Sequence, residues 1–169
     1  MGRFTDMADE IKHGGKRHLL GLYDEHLDRL IQNVGSLAEM GVTALSLQWW
    51  SRIYPGARII GFDHSPPASC GFTIVRGDQG KISDLAKLAE LGPFDIIVDD
   101  AGHEHNNQIL AFNTLWAHVN HNGLYIIEDI QTSGDYHNKV IAEVRKVVPC
   151  EAYVSTVPSS WLCLAKKEG

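Results

Sequence analysis

Two almost continuously apolar, β-branched runs, Phe94-Asp-Ile-Ile-Val and Leu124-Tyr-Ile-Ile, constrain this chain more than any other feature. A strand with one wet face alternates apolar and polar residues. A strand that is apolar throughout is covered on both faces, as in a parallel sheet held between two layers of helices. Five further short runs fit the same scheme: Leu37 to Met40, Arg58 to Phe62, Phe72 to Val75, Ala152 to Val154 and Trp161 to Leu164. Between the runs, apolar residues at helical spacing predict helices at about 43–54, 82–91, 104–119 and 135–147. Alternation of this kind specifies an α/β fold with a doubly wound, mostly parallel, seven-stranded sheet and helices on both faces. The last two runs are joined by Ser155-Thr-Val-Pro-Ser-Ser without a helix, which predicts an antiparallel C-terminal hairpin.

A chain of 169 residues, 44% of them apolar, supplies one core, so residues 19–169 are expected to form a single domain. Residues 1–18 are polar, charged and contain glycine, and are expected to be a flexible arm or a loose helix. From Leu19 to Val34, apolar residues recur at helical spacing and predict an amphipathic helix. Trp49, Trp50 and Trp116 sit on helix faces and read as core or interface aromatics. A net charge of −6 argues against a grip on nucleic acid or an anionic membrane, both of which need clustered Lys and Arg. The short basic stretches, Lys12 to His18 and Lys166–Lys167, read as solvated. Cys70, Cys150 and Cys163 lack disulfide or zinc spacing and read as thiols of a reducing compartment. The opening Met1-Gly-Arg-Phe-Thr-Asp is charged where a signal peptide is apolar, and no run approaches a membrane span; the expectation is a cytoplasmic protein. Aromatics exposed on so small a domain leave room for a homo-oligomer.

In a doubly wound sheet, ligands bind beyond the carboxyl ends of the strands, where strand order reverses. Here those ends are acidic: Glu39-Met-Gly41, Gly61-Phe-Asp63, Gly77-Asp78-Gln79, Asp99-Asp100-Ala-Gly-His103 and Glu128-Asp129. Each acid costs desolvation unless partnered or exposed, so the repetition marks one edge of the sheet as a polar site. Asp63 stands where a carboxylate accepts hydrogen bonds from a ribose, and Asp78 and Gln79 where an adenine edge is read. Taken singly, each also suits a turn or a helix cap. Asp100, Glu128 and Asp129 lie at the ends of two strands about 4.8 Å apart and can converge on one hard cation, magnesium or manganese. The alternative is that they cap helices or face solvent. His103, three residues after Asp100, is placed to take a proton from a hydroxyl whose acidity the cation has raised. His105 shares that loop, whereas the other histidines, His18 among them, read as structural or exposed.

With these residues in view, Phe94-Asp-Ile-Ile-Val-Asp-Asp-Ala-Gly-His and Asn122-Gly-Leu-Tyr-Ile-Ile-Glu-Asp-Ile-Gln-Thr-Ser resemble the class I S-adenosylmethionine (SAM)-dependent methyltransferases that methylate sugar hydroxyls on macrolide and related antibiotics. The likeness covers roughly residues 20–135 and implies a Rossmann-like fold with Asp100, Glu128 and Asp129 holding magnesium and His103 as general base. It implies that Asp63, Asp78 and Gln79 contact the nucleoside and that Glu39 and Gly41 begin the methionine-binding loop. Asp99 is grouped with the cofactor residues. The implied reaction is methyl transfer from SAM to a hydroxyl of a sugar or other vicinal diol, with a small hydroxylated molecule such as a glycoside as partner. The loop departs from the family pattern: Glu39-Met-Gly-Val-Thr-Ala-Leu-Ser-Leu-Gln-Trp-Trp has no second glycine. A degenerate domain serving as a non-catalytic binding or assembly module is therefore the second reading. A nicotinamide-dependent oxidoreductase fits worst, since GxGxxG is missing after the first strand.

Overall fold

The computed structural model describes residues 2–68, 70–156 and 159–168. Seven strands form one sheet: β1 (Ser36–Met40), β2 (Arg58–Asp63), β3 (Thr73–Arg76), β4 (Phe94–Asp99), β5 (Val119–Gln131), β6 (Cys150–Thr156) and β7 (Ser159–Lys166). Their order is β3-β2-β1-β4-β5-β7-β6. The first five pair in parallel, and β7 runs antiparallel between β5 and β6. The expected sheet and hairpin are thus present; Val157 and Pro158, in the expected connection, lie outside the described residues.

Alternation along the strands divides the core into two layers. Ala38, Met40, Ile97, Tyr125 and Ile127 point to one face, where α4 (Ile82–Ala89), α5 (His105–Leu115) and α6 (Tyr136–Val147) cover them. Leu37, Ile96, Val98, Leu124 and Ile126 point to the other. There they meet α1 (Arg3–Glu10), α2 (the continuous segments Leu20–Leu22, Tyr23–Leu27 and Asp28–Leu30) and α3 (Ala44–Ile53). Trp49 and Trp50 are fully buried in this second layer. Among the described residues no helix is long and apolar enough to cross a membrane.

The stretch expected to be a flexible arm or loose helix contains α1. Phe4 and Ala8 are fully buried, and the Phe4 ring lies 5.5 Å from Tyr23 and 5.7 Å from Trp49. Gly2 has no side chain to cap this helix, so Asp24 does it from outside, accepting from the Phe4 and Thr5 amides at 2.8 and 3.3 Å. Helix α2 ends at Leu30 rather than Val34, because Ile31 turns to extended backbone on the way to β1. Its middle turn, Tyr23–Leu27, is a π-helix, a widened turn of the kind often found at functional sites.

Strand β5 is longer than its apolar run and carries a bulge. Ile127 pairs with Cys163 and Ile130 with Trp161, so Glu128 and Asp129 together oppose Leu162. Asp129 takes up the extra residue in left-handed backbone, φ 49°. Ile127 and Ile130 consequently reach the same layer, while Glu128 points to the other.

Candidate active site

The order of the sheet reverses between β1 and β4, and the backbones touch there. Gly41, just past β1, has φ +79°, and a Cβ on it would lie 2.1 Å from the Asp100 carbonyl oxygen. Beside this contact opens a cavity of about 420 Å³ whose lining includes Gly41, Asp63, Asp78, Gln79, Ala101 and Gly102. Four of the six expected cofactor residues therefore share one cavity. The other two, Glu39 and Asp99, are fully buried behind it.

Several of these side chains are already engaged by the protein. Asp63 Oδ2 accepts from the Val42 amide at 3.0 Å and Oδ1 from the Ser65 amide at 2.7 Å, clamping the loop after β1 to the end of β2. Gln79 donates to Asp99 Oδ1 at 2.6 Å and accepts from the Gly102 amide at 2.9 Å. Its amide links the ends of β3 and β4 instead of facing an adenine. Burial pushes the Asp99 carboxyl well above the usual range. Asp78 stays exposed, and hydrogen bonds from the Gly80 amide and Lys81 hold its carboxyl below that range.

The three acids read as metal ligands separate into two environments. Asp100, His103 and Asp129 each offer an atom within 4.8 Å of the others. Glu128 is fully buried elsewhere: Oε2 is 2.7 Å from Lys16 Nζ, and Oε1 accepts from the Tyr23 hydroxyl. Burial pushes its carboxyl to about 8 against the pull of Lys16. Ordinary strand alternation turns Glu128 to the face opposite Ile127, and the bulge takes up Asp129 before Ile130 returns to the layer of Ile127. His103 takes the third place, and its Nδ1 is buried with no hydrogen-bond partner. An orphaned imidazole nitrogen beside two carboxylates fits a cation site or a proton acceptor next to one.

Asp129 is held by two side chains. Its Oδ1 is 2.6 Å from His18 Nε2 and accepts from Ser160 Oγ at 2.9 Å. Burial favours protonation of this carboxyl, but these contacts outweigh it and keep Asp129 below the ordinary aspartate value. Lys16 reaches Asp100 Oδ2 at 2.7 Å and Glu39 Oε1 at 3.0 Å as well as Glu128. Burial alone would strip its proton, yet the three carboxylates hold it charged. Glu39 also accepts from Ser46 Oγ at 2.6 Å and Trp50 Nε1 at 2.9 Å.

Lys16, His18 and Tyr23 are site residues that the sequence did not single out. Their one local signal is a basic cluster just ahead of the first amphipathic helix, which looks the same as a solvated tail.

No family model matches the chain. The 8-demethyl-8-(2-methoxy-alpha-L-rhamnosyl)-tetracenomycin-C 3'-O-methyltransferase of Streptomyces olivaceus is 34% identical over 145 residues, covering 79% of this chain and 37% of that enzyme. Demethylmacrocin O-methyltransferase of Streptomyces fradiae is 32% identical over 123 residues, 66% of this chain and 31% of the relative. The chain thus spans about a third of the length of these curated relatives. Among solved structures, the MycE methyltransferase of the Mycinamycin biosynthetic pathway, in complex with Mg and SAH, superposes with a TM-score of 0.74 at 21% identity, covering 98% of this chain and 55% of MycE. An O-methyltransferase from Bacillus cereus in complex with SAH gives 0.64 at 15% identity, covering 96% of this chain and 91% of that one. The chain thus shares the fold of these SAH-bound methyltransferases, and its sequence is similar to part of the named O-methyltransferases.

Proposed function

We propose that the chain is a SAM-dependent, metal-assisted O-methyltransferase that transfers a methyl group to a hydroxyl of a sugar or other vicinal diol. One observation carries the reading: a cavity at the strand-order reversal, bounded by Asp63 and Asp78, is joined through Ala101 and Gly102 to the Asp100–His103–Asp129 cluster. The names of the relatives describe O-methylation, of a rhamnosyl-bearing tetracenomycin in one and of demethylmacrocin in the other, and the MycE structures contain Mg, SAH and, in one, Mycinamycin VI.

Asp63 would face the ribose and Asp78 the adenine edge, with Gln79 and Asp99 fixing the cavity wall. Gly41 admits the backbone approach that Cβ would block. Asp100 and Asp129 would hold magnesium or manganese through their remaining oxygens, with Glu128 behind them, consistent with the habit of Mg²⁺ to use one or two carboxylates and keep its waters. When bound, the cation supplies positive charge that acidifies a hydroxyl, and SAM supplies an activated methyl group. His103 would take the hydroxyl proton, and the surrounding residues position and screen the acceptor. The acidic rim disfavours a nucleic-acid acceptor and leaves a small hydroxylated molecule, such as a glycoside, as substrate.

Calorimetry with S-adenosylhomocysteine, with and without magnesium, followed by methyl-transfer assays on a panel of glycosides, tests this. His103→Ala should abolish transfer and leave S-adenosylhomocysteine binding nearly intact; loss of both together would overturn the role given to His103. No binding by the unaltered protein would instead favour a non-catalytic module.

A further inference from the structure

Lys16 enters the site from the loop between α1 and α2, and its side chain is 3% exposed. An ammonium has three hydrogens, and Asp100, Glu39 and Glu128 stand at 2.7, 3.0 and 2.7 Å from it. Among the described residues no other Lys or Arg pairs with Glu39, Asp99, Asp100, Glu128 or Asp129. The loop that carries it is fastened: His18 is tied to Asp129, His13 is buried with its ring 5.7 Å from Trp49, and Leu19 is fully buried. What can move is the four-carbon side chain of Lys16 rather than the backbone behind it.

The acids that Lys16 touches adjoin the cavity. Glu39 lies two residues before Gly41 and Asp100 immediately before Ala101, both of which line it. A nucleoside at Asp63 and Asp78 directs the amino-acid end of SAM toward this side. That end is a zwitterion, so it needs an anion for its ammonium and a donor for its carboxylate. The loop after β1 has few donors to give: the Gly41 amide is bonded to the Phe62 carbonyl, the Val42 amide to Asp63 and the Thr43 amide to Ser46 Oγ. Repeated acids would meanwhile repel a carboxylate.

We propose that Lys16 anchors the α-carboxylate of the methyl donor: the donor's ammonium takes the place of Lys16 at Glu39, and the released Lys16 pairs with the carboxylate. This rests on the SAM-binding reading above. The exchange adds one positive and one negative charge and leaves both partnered, so the buried cluster keeps its balance. It also gives the glycine-poor loop a physical counterpart, with a side-chain ammonium supplying the donor that free backbone amides would otherwise supply.

The test compares SAM with decarboxylated SAM, which keeps the sulfonium and the amine and lacks only the carboxylate. The unaltered protein should bind SAM about ten-fold or more tightly than the decarboxylated compound, as loss of a charge-assisted contact implies. Lys16→Met and Lys16→Gln should erase that preference by weakening SAM alone, and Lys16→Arg should restore part of it. Equal affinities in the unaltered protein overturn the proposal without need of any variant. Tighter SAM binding by Lys16→Met would also overturn it, showing Lys16 to be a plug. Failure of the unaltered protein to bind either compound would refute SAM binding itself and is thereby distinguishable.

Discussion

His18 Nε2 lies 2.6 Å from Asp129 Oδ1, joining the N-terminal loop to the β5 bulge across 111 residues of sequence. With Ser160 Oγ on the same oxygen, the carboxylate is held in one orientation, and its other oxygen is the one that the proposed cation would use. Partners of this kind orient a metal ligand without touching the metal. His18→Ala should weaken Mn²⁺ binding by about ten-fold or more, read by calorimetry or by the electron paramagnetic resonance of free Mn²⁺. An unchanged affinity would mean that Asp129 holds its direction without the imidazole.

Gly41→Ala should be strongly destabilising. The added methyl would collide with the Asp100 carbonyl at 2.1 Å, and the backbone is left-handed at φ +79°. Because the obstacle is main chain, β1 and β4 must part, at a cost of about 2 kcal/mol or more in urea unfolding. A stability within error of the unaltered protein would show that the strand ends are not in contact.

Tyr23→Phe tests the other buried face. Tyr23 and Glu128 are both fully buried, and removing the hydroxyl leaves Glu128 Oε1 without its donor. The expected loss is about 1–3 kcal/mol of unfolding free energy. If stability is retained, water must reach Glu128.

Cys150 and Cys163 form a hydrogen-bonded thiol pair in the β6–β7 hairpin, and that bond, helped by Arg145, pulls the Cys150 thiol down to about 7. Since the thiolate is the nucleophile, alkylation of Cys150 by iodoacetamide should rise with pH through about 7 and level off by about 8 to 9. Cys163→Ala should move the midpoint upward. Peptide mass spectrometry across that range reads both, and a midpoint near the ordinary thiol value in the unaltered protein would remove the pairing argument.

The sheet was legible because burial on both faces leaves a local mark, as in Phe94–Val98 and Leu124–Ile127. The acids at the strand ends were legible for the converse reason, being polar residues where apolar runs stop. The partners of those acids were not. Lys16 meets Glu128 across 112 residues, and no periodicity or spacing registers a contact of that range. The bulge at Asp129 was equally hidden, because it depends on the register with β7, not on any property of Glu-Asp itself. Helix α1 was legible only as an arm or loose helix, for a third reason: it is eight residues long, anchored by Phe4 and Ala8, and its cap, Asp24, lies in the next helix.

The left-handed backbone at Asp129 sets conformational comfort against chemistry. Glycine relaxes such a position, and aspartate is among the few other residues that tolerate it. A search for stabilised variants would thus be drawn to glycine at 129 and would discard the carboxylate with the strain. The substitution most welcome to the fold there is the one least compatible with holding a cation.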